Sequence, residues 1–247
     1  MGIRRALKSA SKSGLPLVIL KLAQSLDGSL WAEEGQQTWF SCERSRFQVQ
    51  RLRSLVDAVL VGANTVRVDN PKLTNRRGIG TQPQRVVLSG SLNLDRGCEV
   101  FKSDTPRQPR TIVYTYRKSL STDDDISLEP YAQVRCLEPR DSGSASLIDL
   151  ELVLRDLSAS GVRSVLCEGG ASVAAQILGA RLVDYLLLYI APVLACGSSS
   201  LGDEIRRSQM WEAGKGKVFS LKESAGLDLF KCKKVGTDIL ALYRRLG

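Results

Sequence analysis

The stretch from Ser146 to Ala191 constrains this chain more than any other part of it. Val162–Cys167 is a short β-prone apolar run that Glu168-Gly169-Gly170 breaks. From Ala171, ASVAAQILGA reads as a helix of small residues, and Val183–Ala191 is a second apolar run stopped by Pro192. Two apolar runs joined through a helix form a βαβ unit, whose strands lie parallel and are buried on both faces. Just upstream, Ser146 and Asp149 have the S-x-x-D spacing of a capping box. The helix they open carries Leu147, Leu150, Leu154 and Leu157 on one side and ends at Gly161. The expected fold is α/β: a mostly parallel central sheet with helices on both faces.

The rest of the chain extends that plan. Leu17–Lys21 predicts a buried strand, and Ala23–Gly28 a turn through its Asp-Gly pair. Ser41 is placed to cap a helix through Asp57 with Phe47, Leu52, Leu55 and Val56 as its apolar residues. Ala58–Val61 predicts the next strand, followed from Gly62 by a polar loop through Asn70-Pro71. Strands are expected at Arg85–Leu88 and Thr111–Tyr116, and loops at Asp95–Pro109 and Ser121–Pro130. Val218–Leu221, Leu227–Lys231 and Ile239–Tyr243 predict a closing meander that adds an antiparallel edge. Residues 1–14 read as a disordered basic leader, with an organellar transit peptide as the alternative, and 15–247 as a single domain. No apolar run approaches the roughly 18 residues that span a bilayer. The longest, Leu186–Leu194, is interrupted by Tyr189 and Pro192, so no membrane partner is expected.

Composition narrows the chemistry. The chain has no histidine, which excludes Ser-His-Asp and Cys-His catalysis and every histidine-based metal site. Carboxylates, lysine, cysteine or a cofactor must therefore act. Six widely spaced cysteines without a C-x-x-C pair read as reduced, buried thiols of a cytoplasmic protein, with no metal site. The net charge of +9 is concentrated between Arg44 and Arg77, where eight Lys/Arg accompany only Asp57 and Asp69. Such a segment suits a solvated face, a nucleic-acid backbone, or phosphorylated small ligands gripped by arginine forks. Phe47 alone interleaves it, too few aromatics to stack single strands.

Two segments can carry a site. A strand ending in Glu168-Gly169-Gly170 and opening a helix exposes amides beside a positive dipole end, and the missing side chains admit a pyrophosphate. The same glycines can also make a tight turn and bind nothing. Glu168 stands at the carboxyl edge of the sheet, where ligands of open α/β folds bind, or is a solvated turn residue. Val61–Arg76 places Gly62, Thr65, Asp69 and Arg76 together, types suited to sugar and phosphate or to a plain surface connection. There is no G-x-G-x-x-G at a strand–helix junction and no G-x-x-x-x-G-K-[ST].

Five segments taken together say more. K-x-A-x-S-L-D-G (Lys21–Gly28), Trp39 followed by Ser41, VGANTV-x-x-D-N-P-x-L-T-x-R (Val61–Arg76), EGG (Glu168–Gly170) and IAP (Ile190–Pro192) occur in one order. That order resembles the reductase domain of the bifunctional riboflavin-biosynthesis deaminase/reductase and its stand-alone relatives, from about Leu15 to the C-terminus. The resemblance implies a dihydrofolate-reductase-like fold, a homodimer, and NADPH-dependent reduction of a phosphoribosylamino-pyrimidine at C1′ of its ribose. It implies cofactor contacts at Ala23, Trp39, Thr65, Asp69 and the helix start Gly170, Ala171, Ser172, Val173, Ala174, Ala175 and Gln176. Substrate contacts fall on Arg53, Leu73, Arg76 and Glu168, with the two arginines suited to its phosphate. Lys21 and Asp69 become the catalytic candidates, with Ser25 and Asp27 beside Lys21 beneath the nicotinamide. Gln37 stands where the family often has Ser, which leaves room for another pterin- or pyrimidine-like substrate. Ser89-Gly90 replaces a common acidic residue and favours a 2′-phosphate, hence NADPH. With neither His-x-Glu nor Pro-Cys-x-x-Cys, the deaminase step is expected from a separate protein.

Overall fold

Leu17–Gln24 (β1) forms the middle of the sheet, with Ile19 and Leu20 fully buried. The computed structural model describes residues 7, 14–32, 38–76, 80–102, 110–116, 128, 131–137, 148–196, 200–208 and 220–246. Most of the proposed leader lies outside these residues; within it Leu7 packs against one of the two cores and Gly14 is exposed. The strands Ala58–Gly62 (β2), Gln84–Leu88 (β3), Thr111–Tyr116 (β4), Ala132–Leu137 (β5), Ser164–Cys167 (β6) and Tyr185–Ile190 (β7) join β1 in a parallel arrangement. Leu227–Val235 (β8) and Asp238–Arg245 (β9) complete the nine-stranded sheet, in the order β5-β4-β3-β2-β6-β1-β7-β9-β8. β9 pairs antiparallel with β7 and β8, as the expected antiparallel edge requires.

Successive strand residues serve opposite cores. Val18, Leu20 and Leu22 face one, with Leu150, Val153, Leu154 and Leu157 of the helix Leu150–Ala159 (α3) and Val173, Ala174 and Ile177 of Ala171–Gly179 (α4). Ile19 faces the other, with Val49 of Glu43–Arg53 (α1) and Val66 of Ala63–Asp69 (α2). A period of two with both faces buried is why these strands read as unbroken apolar runs. Each fully buried Leu or Ile adds about 1.5–3 kcal/mol of transfer free energy.

Several local expectations are corrected. The segment after Gly62 is the helix α2, not a loop: Val66 buries against the sheet while Asn64 and Arg67 face solvent. α1 begins at Glu43 after Cys42, and Ser41 does not cap it. α3 takes Asp149 as its cap, the carboxylate accepting from the amides of Glu151 and Leu152; Ser146 and Leu147 lie outside the described residues. The helix does end at the expected glycine: Ala159 is its last residue, Ser160 its C-cap, and Gly161 (φ +87°) turns the chain away. β5 was not foreseen. Ser220 caps a short helix, Leu221–Ala225 (α5), where the end of the strand Val218–Leu221 was expected; Val218 and Phe219 lie outside the described residues. Of the six free thiols only Cys98 and Cys167 are buried; Cys136, Cys196 and Cys232 are exposed.

Candidate active site

The strand order decides where a ligand can sit. From β1 the chain crosses over β6 to β2, while from β6 it crosses in the other direction over β1 to β7. Connections leaving neighbouring strands in opposite directions open a crevice at their carboxyl ends. A cleft of about 450 Å³ lies there, a volume ordinary for a small-molecule site. Lys21 and Ala23 come from β1, Thr65, Val68 and Asp69 from α2, and Leu88 and Gly90 from the end of β3. Glu168, Gly169, Gly170, Ala171, Ser172, Val173 and Gln176 line it from the end of β6 and the start of α4.

The glycine turn is shaped for close approach. A Cβ on Gly169 would lie 2.8 Å from Val173 Cβ, and one on Gly170 3.2 Å from the Thr65 hydroxyl. The α4 N-terminus has no side-chain cap. Its first-turn amides and dipole thus face the cleft, the arrangement that receives a phosphate oxygen. The buried Ser89 hydroxyl, flanked by the cleft-lining Leu88 and Gly90, has no partner among the described residues. Neither has the buried indole nitrogen of Trp31, another cleft residue. A buried polar group left unpaired costs on the order of 1–3 kcal/mol. Together, the two glycines and the uncapped helix start at the mouth of the cleft fit the phosphates of a dinucleotide.

The charged floor of the cleft is organised around Glu168. Its carboxylate accepts from Arg53 Nε at 2.6 Å and Nη2 at 2.9 Å, a bidentate pair only about a tenth exposed. Burial works against ionising Glu168, but the charge and hydrogen bonds of Arg53, helped by Lys21, outweigh it and hold its pKa down. Burial pulls the pKa of Lys21 down, against the opposing pull of Glu168 and Asp69. Asp69 moves the other way: burial raises it and Lys21 only partly offsets that. Burial pushes the Cys167 thiol up to about 12, so this neighbour of Glu168 is no nucleophile.

Of the residues singled out from sequence, Lys21, Ala23, Thr65, Asp69, Glu168, Gly170, Ala171, Ser172, Val173 and Gln176 meet in this cleft. Ala174 and Ala175 are buried beneath it in α4. Trp39 is outside the lining, 63% exposed, with the Arg46 guanidinium 5.3 Å from its ring centre. Arg53 is spent on Glu168 and the Thr74 carbonyl rather than presented as a phosphate fork. Leu73 is a core residue in a left-handed conformation (φ 54°), and Arg76 is exposed in the turn beyond it. Ser25 bonds to Ser29, and Asp27 accepts from the amides of Ala195 and Cys196, tying two loops together outside the cleft lining. Gln37 lies outside the described residues. Trp31, Ile148 and Glu204 also line the cleft and arrive from segments with no motif, whereas Asn64 lies inside the VGANTV segment without having been singled out. The basic stretch is no single face: Arg53 turns inward, while Arg67 bonds the Asn93 carbonyl.

The parallel sheet, its antiparallel outer hairpin and the crevice define an α/β domain of the dihydrofolate-reductase-like type. The chain belongs to the family described as the RibD C-terminal domain, whose model matches residues 16–240. Riboflavin biosynthesis protein RibD of Bacillus amyloliquefaciens is 33% identical over 229 residues, covering 92% of this chain and 57% of the relative. The chloroplastic riboflavin biosynthesis protein PYRR of Arabidopsis thaliana is 32% identical over 197 residues, 77% of this chain and 31% of the relative. The chain thus spans about half, or less, of the curated relatives it matches. Among solved structures, a pyrimidine reductase-like protein of Corynebacterium diphtheriae superposes with a TM-score of 0.71 at 24% identity, covering all of both chains. The Saccharomyces cerevisiae riboflavin biosynthesis reductase superposes at 0.69 and 22% identity, covering 98% and 94%. At these identities the superpositions speak for the fold.

Proposed function

We propose that this chain is an NADPH-dependent oxidoreductase of riboflavin biosynthesis. Its substrate is 5-amino-6-(5-phosphoribosylamino)uracil or the 2,5-diamino-pyrimidinone counterpart that has yet to be deaminated, and its product is the ribityl form. The observation that carries this reading is the convergence of Lys21, Asp69 and the Arg53-paired Glu168 beside the glycine cradle, in a chain of the RibD C-terminal family. The amides opening α4 and the Thr65 hydroxyl would hold the diphosphate, and Ala23 leaves room for a flat ring beside β1. When bound, reduced nicotinamide supplies a hydride to C1′ of the ring-opened ribosylamino group. Lys21 Nζ, buried between two carboxylates, holds a proton that can pass to the substrate nitrogen. Asp69, whose pKa burial raises, lines the same cleft and can replace it. Glu168, kept ionised by Arg53, steadies the Lys21 ammonium and offers its outer lone pairs to the pyrimidine amino groups.

Mixing the protein with NADPH and each pyrimidine, while following the reduced-nicotinamide absorbance, tests this. Substrate-dependent loss of absorbance is expected; none with either pyrimidine would overturn the reading. Product mass from the two pyrimidines tells which is reduced first. Arg53 is engaged elsewhere and Arg76 lies outside the cleft lining, which favours keeping a second reading: a reductase of the same fold acting on another pterin- or pyrimidine-like substrate. A substrate panel separates the two. Without a histidine, these 247 residues hold no zinc-deaminase site of the His-x-Glu type, so a separate deaminase is part of the proposal. The functional unit is proposed to be a homodimer working in the cytoplasm. The name of the plant relative supports the organellar alternative.

A further inference from the structure

We infer that Asp27 is a positioning residue: its carboxylate latches two loops together and so sets the wall of the cleft that carries Leu30 and Trp31. The inference rests on the reductase reading and deepens it, because that wall meets the cofactor or the pyrimidine. Most of the lining stands on elements packed into the two cores: Lys21 and Ala23 on β1, Thr65 and Asp69 on α2, Ala171 and Val173 on α4. Leu30 and Trp31 come instead from the segment after β1, which holds no helix and no strand of its own. Such a segment keeps its place only through its ties. Here the ties run to the segment after β7. The Gly28 amide donates to the Ser25 carbonyl at 3.1 Å, with Gly28 at φ +85°, and the turn so closed presents Asp27 to its neighbour. Asp27 Oδ1 accepts from the Ala195 amide at 3.1 Å, and Oδ2 from the Cys196 amide at 2.9 Å. Two successive amides turned toward one carboxylate form an anion-holding concavity, and the charge strengthens each bond. Cys196 is left-handed (φ 50°), a conformation that its Cβ disfavours and the carboxylate sustains. Backbone contacts flank the latch along both segments: the Leu26 amide donates to the Val193 carbonyl at 2.8 Å, and Ser29 pairs with Ser200 across a β-bridge. Ser200 leads into the helix Leu201–Ser208, which brings Glu204 to the same cleft.

The test uses Asp27→Ala and Asp27→Asn, the second keeping one acceptor oxygen and carrying the comparison if the first does not fold. Amide exchange at Ala195 and Cys196, the thermal midpoint, and KM and kcat with NADPH and the pyrimidine are measured on both variants and on wild type. With the latch removed, a ligand must order the wall as it binds, a cost that falls on affinity rather than on the chemical step. Asp27→Ala is therefore expected to speed exchange at both amides. It should raise KM about three- to tenfold for at least one of the two ligands while kcat stays within about twofold. Asp27→Asn should fall between Asp27→Ala and wild type. Faster exchange or a lowered midpoint with both KM values unchanged would make Asp27 a surface fastener and overturn the inference. A loss of kcat at unchanged KM overturns it as well, as do exchange rates that neither substitution alters. Wild-type protein that oxidises NADPH with neither pyrimidine removes the reductase reading and this inference together, whereas wild-type KM values matched by both variants remove the inference alone.

Discussion

At the scale of single residues, the Arg53–Glu168 pair is where stability and chemistry meet. Removing one partner of a buried ion pair leaves the other charge uncompensated, at a cost of about 3–5 kcal/mol. Glu168→Gln is therefore expected to lower the urea midpoint sharply at neutral pH. The pair also sets an acid limb. A carboxylate whose folded pKa is depressed contributes stability above its unfolded value, near 4.5, and loses it as pH falls through the folded pKa. The gap between wild type and Glu168→Gln should thus narrow when denaturation is repeated below pH 4; a constant gap would show that Glu168 is not held ionised. Lys21 has the opposite sign. Its pKa is lowered, so the unfolded chain binds more protons between the folded value and 10.5, and wild-type stability gains as pH rises through that window. Lys21→Met should lack this alkaline gain, keep or raise the midpoint at neutral pH, and abolish NADPH oxidation. Retained turnover would remove Lys21 from proton transfer.

At the scale of elements, α1 shows how a helix that supplies a site residue is anchored. Its cap residue Cys42 makes no capping bond of its own. Asp238, buried at the start of β9, accepts from the Cys42 amide at 2.8 Å and from the Ser45 hydroxyl at 2.6 Å. The adjoining turn leaves no room for a side chain, since a Cβ on Gly236 (φ +63°) would sit 2.7 Å from the Cys42 sulfur. Asp238→Ala strands the buried Ser45 hydroxyl and the half-buried Cys42 amide and is expected to cost about 1–3 kcal/mol in urea unfolding. Ser41→Ala, at the position sequence alone suggests as the cap, should change little. Equal effects would show that the cap is local after all. Because α1 carries Arg53, the Asp238 variant should also weaken turnover by loosening Glu168.

At the scale of the whole molecule, the sheet is covered on both faces over its parallel part but bare along its β8 edge. β8 is the outermost strand, and between its buried ends, Leu227 and Val235, every residue is exposed. Leu229, Phe230 and Ile239 present apolar side chains on this hairpin, with Lys231, Lys233 and Lys234 among them. Lysines discourage indiscriminate edge pairing, while an exposed apolar group on a long edge marks a surface that a second chain covers. If the proposed homodimer uses this hairpin, Phe230→Asp should yield monomers by sedimentation, with secondary structure unchanged by circular dichroism. A dimer that persists would place the contact elsewhere.

Much of the architecture was legible along the chain because β2, β6, β7 and the first four residues of β1 are largely buried on both faces and read as apolar runs. The glycine turn was legible too, because a side chain at Gly169 would run into Val173, and one at Gly170 would press on the Thr65 hydroxyl. α2 escaped notice because a seven-residue helix burying Val66 alone shows too little periodicity against its polar Asn64, Thr65 and Asp69. The ordered motifs from Lys21 to Pro192 determined the family and nominated Lys21, Thr65, Asp69 and Glu168. Only the tertiary structure decided what those groups do to one another. Arg53 and Glu168 stand 115 positions apart, and hydrogen-bond geometry over that separation is set by how α1 packs on the sheet. The same holds for Asp27, whose amide partners at Ala195 and Cys196 reach it only once β1 and β7 lie side by side.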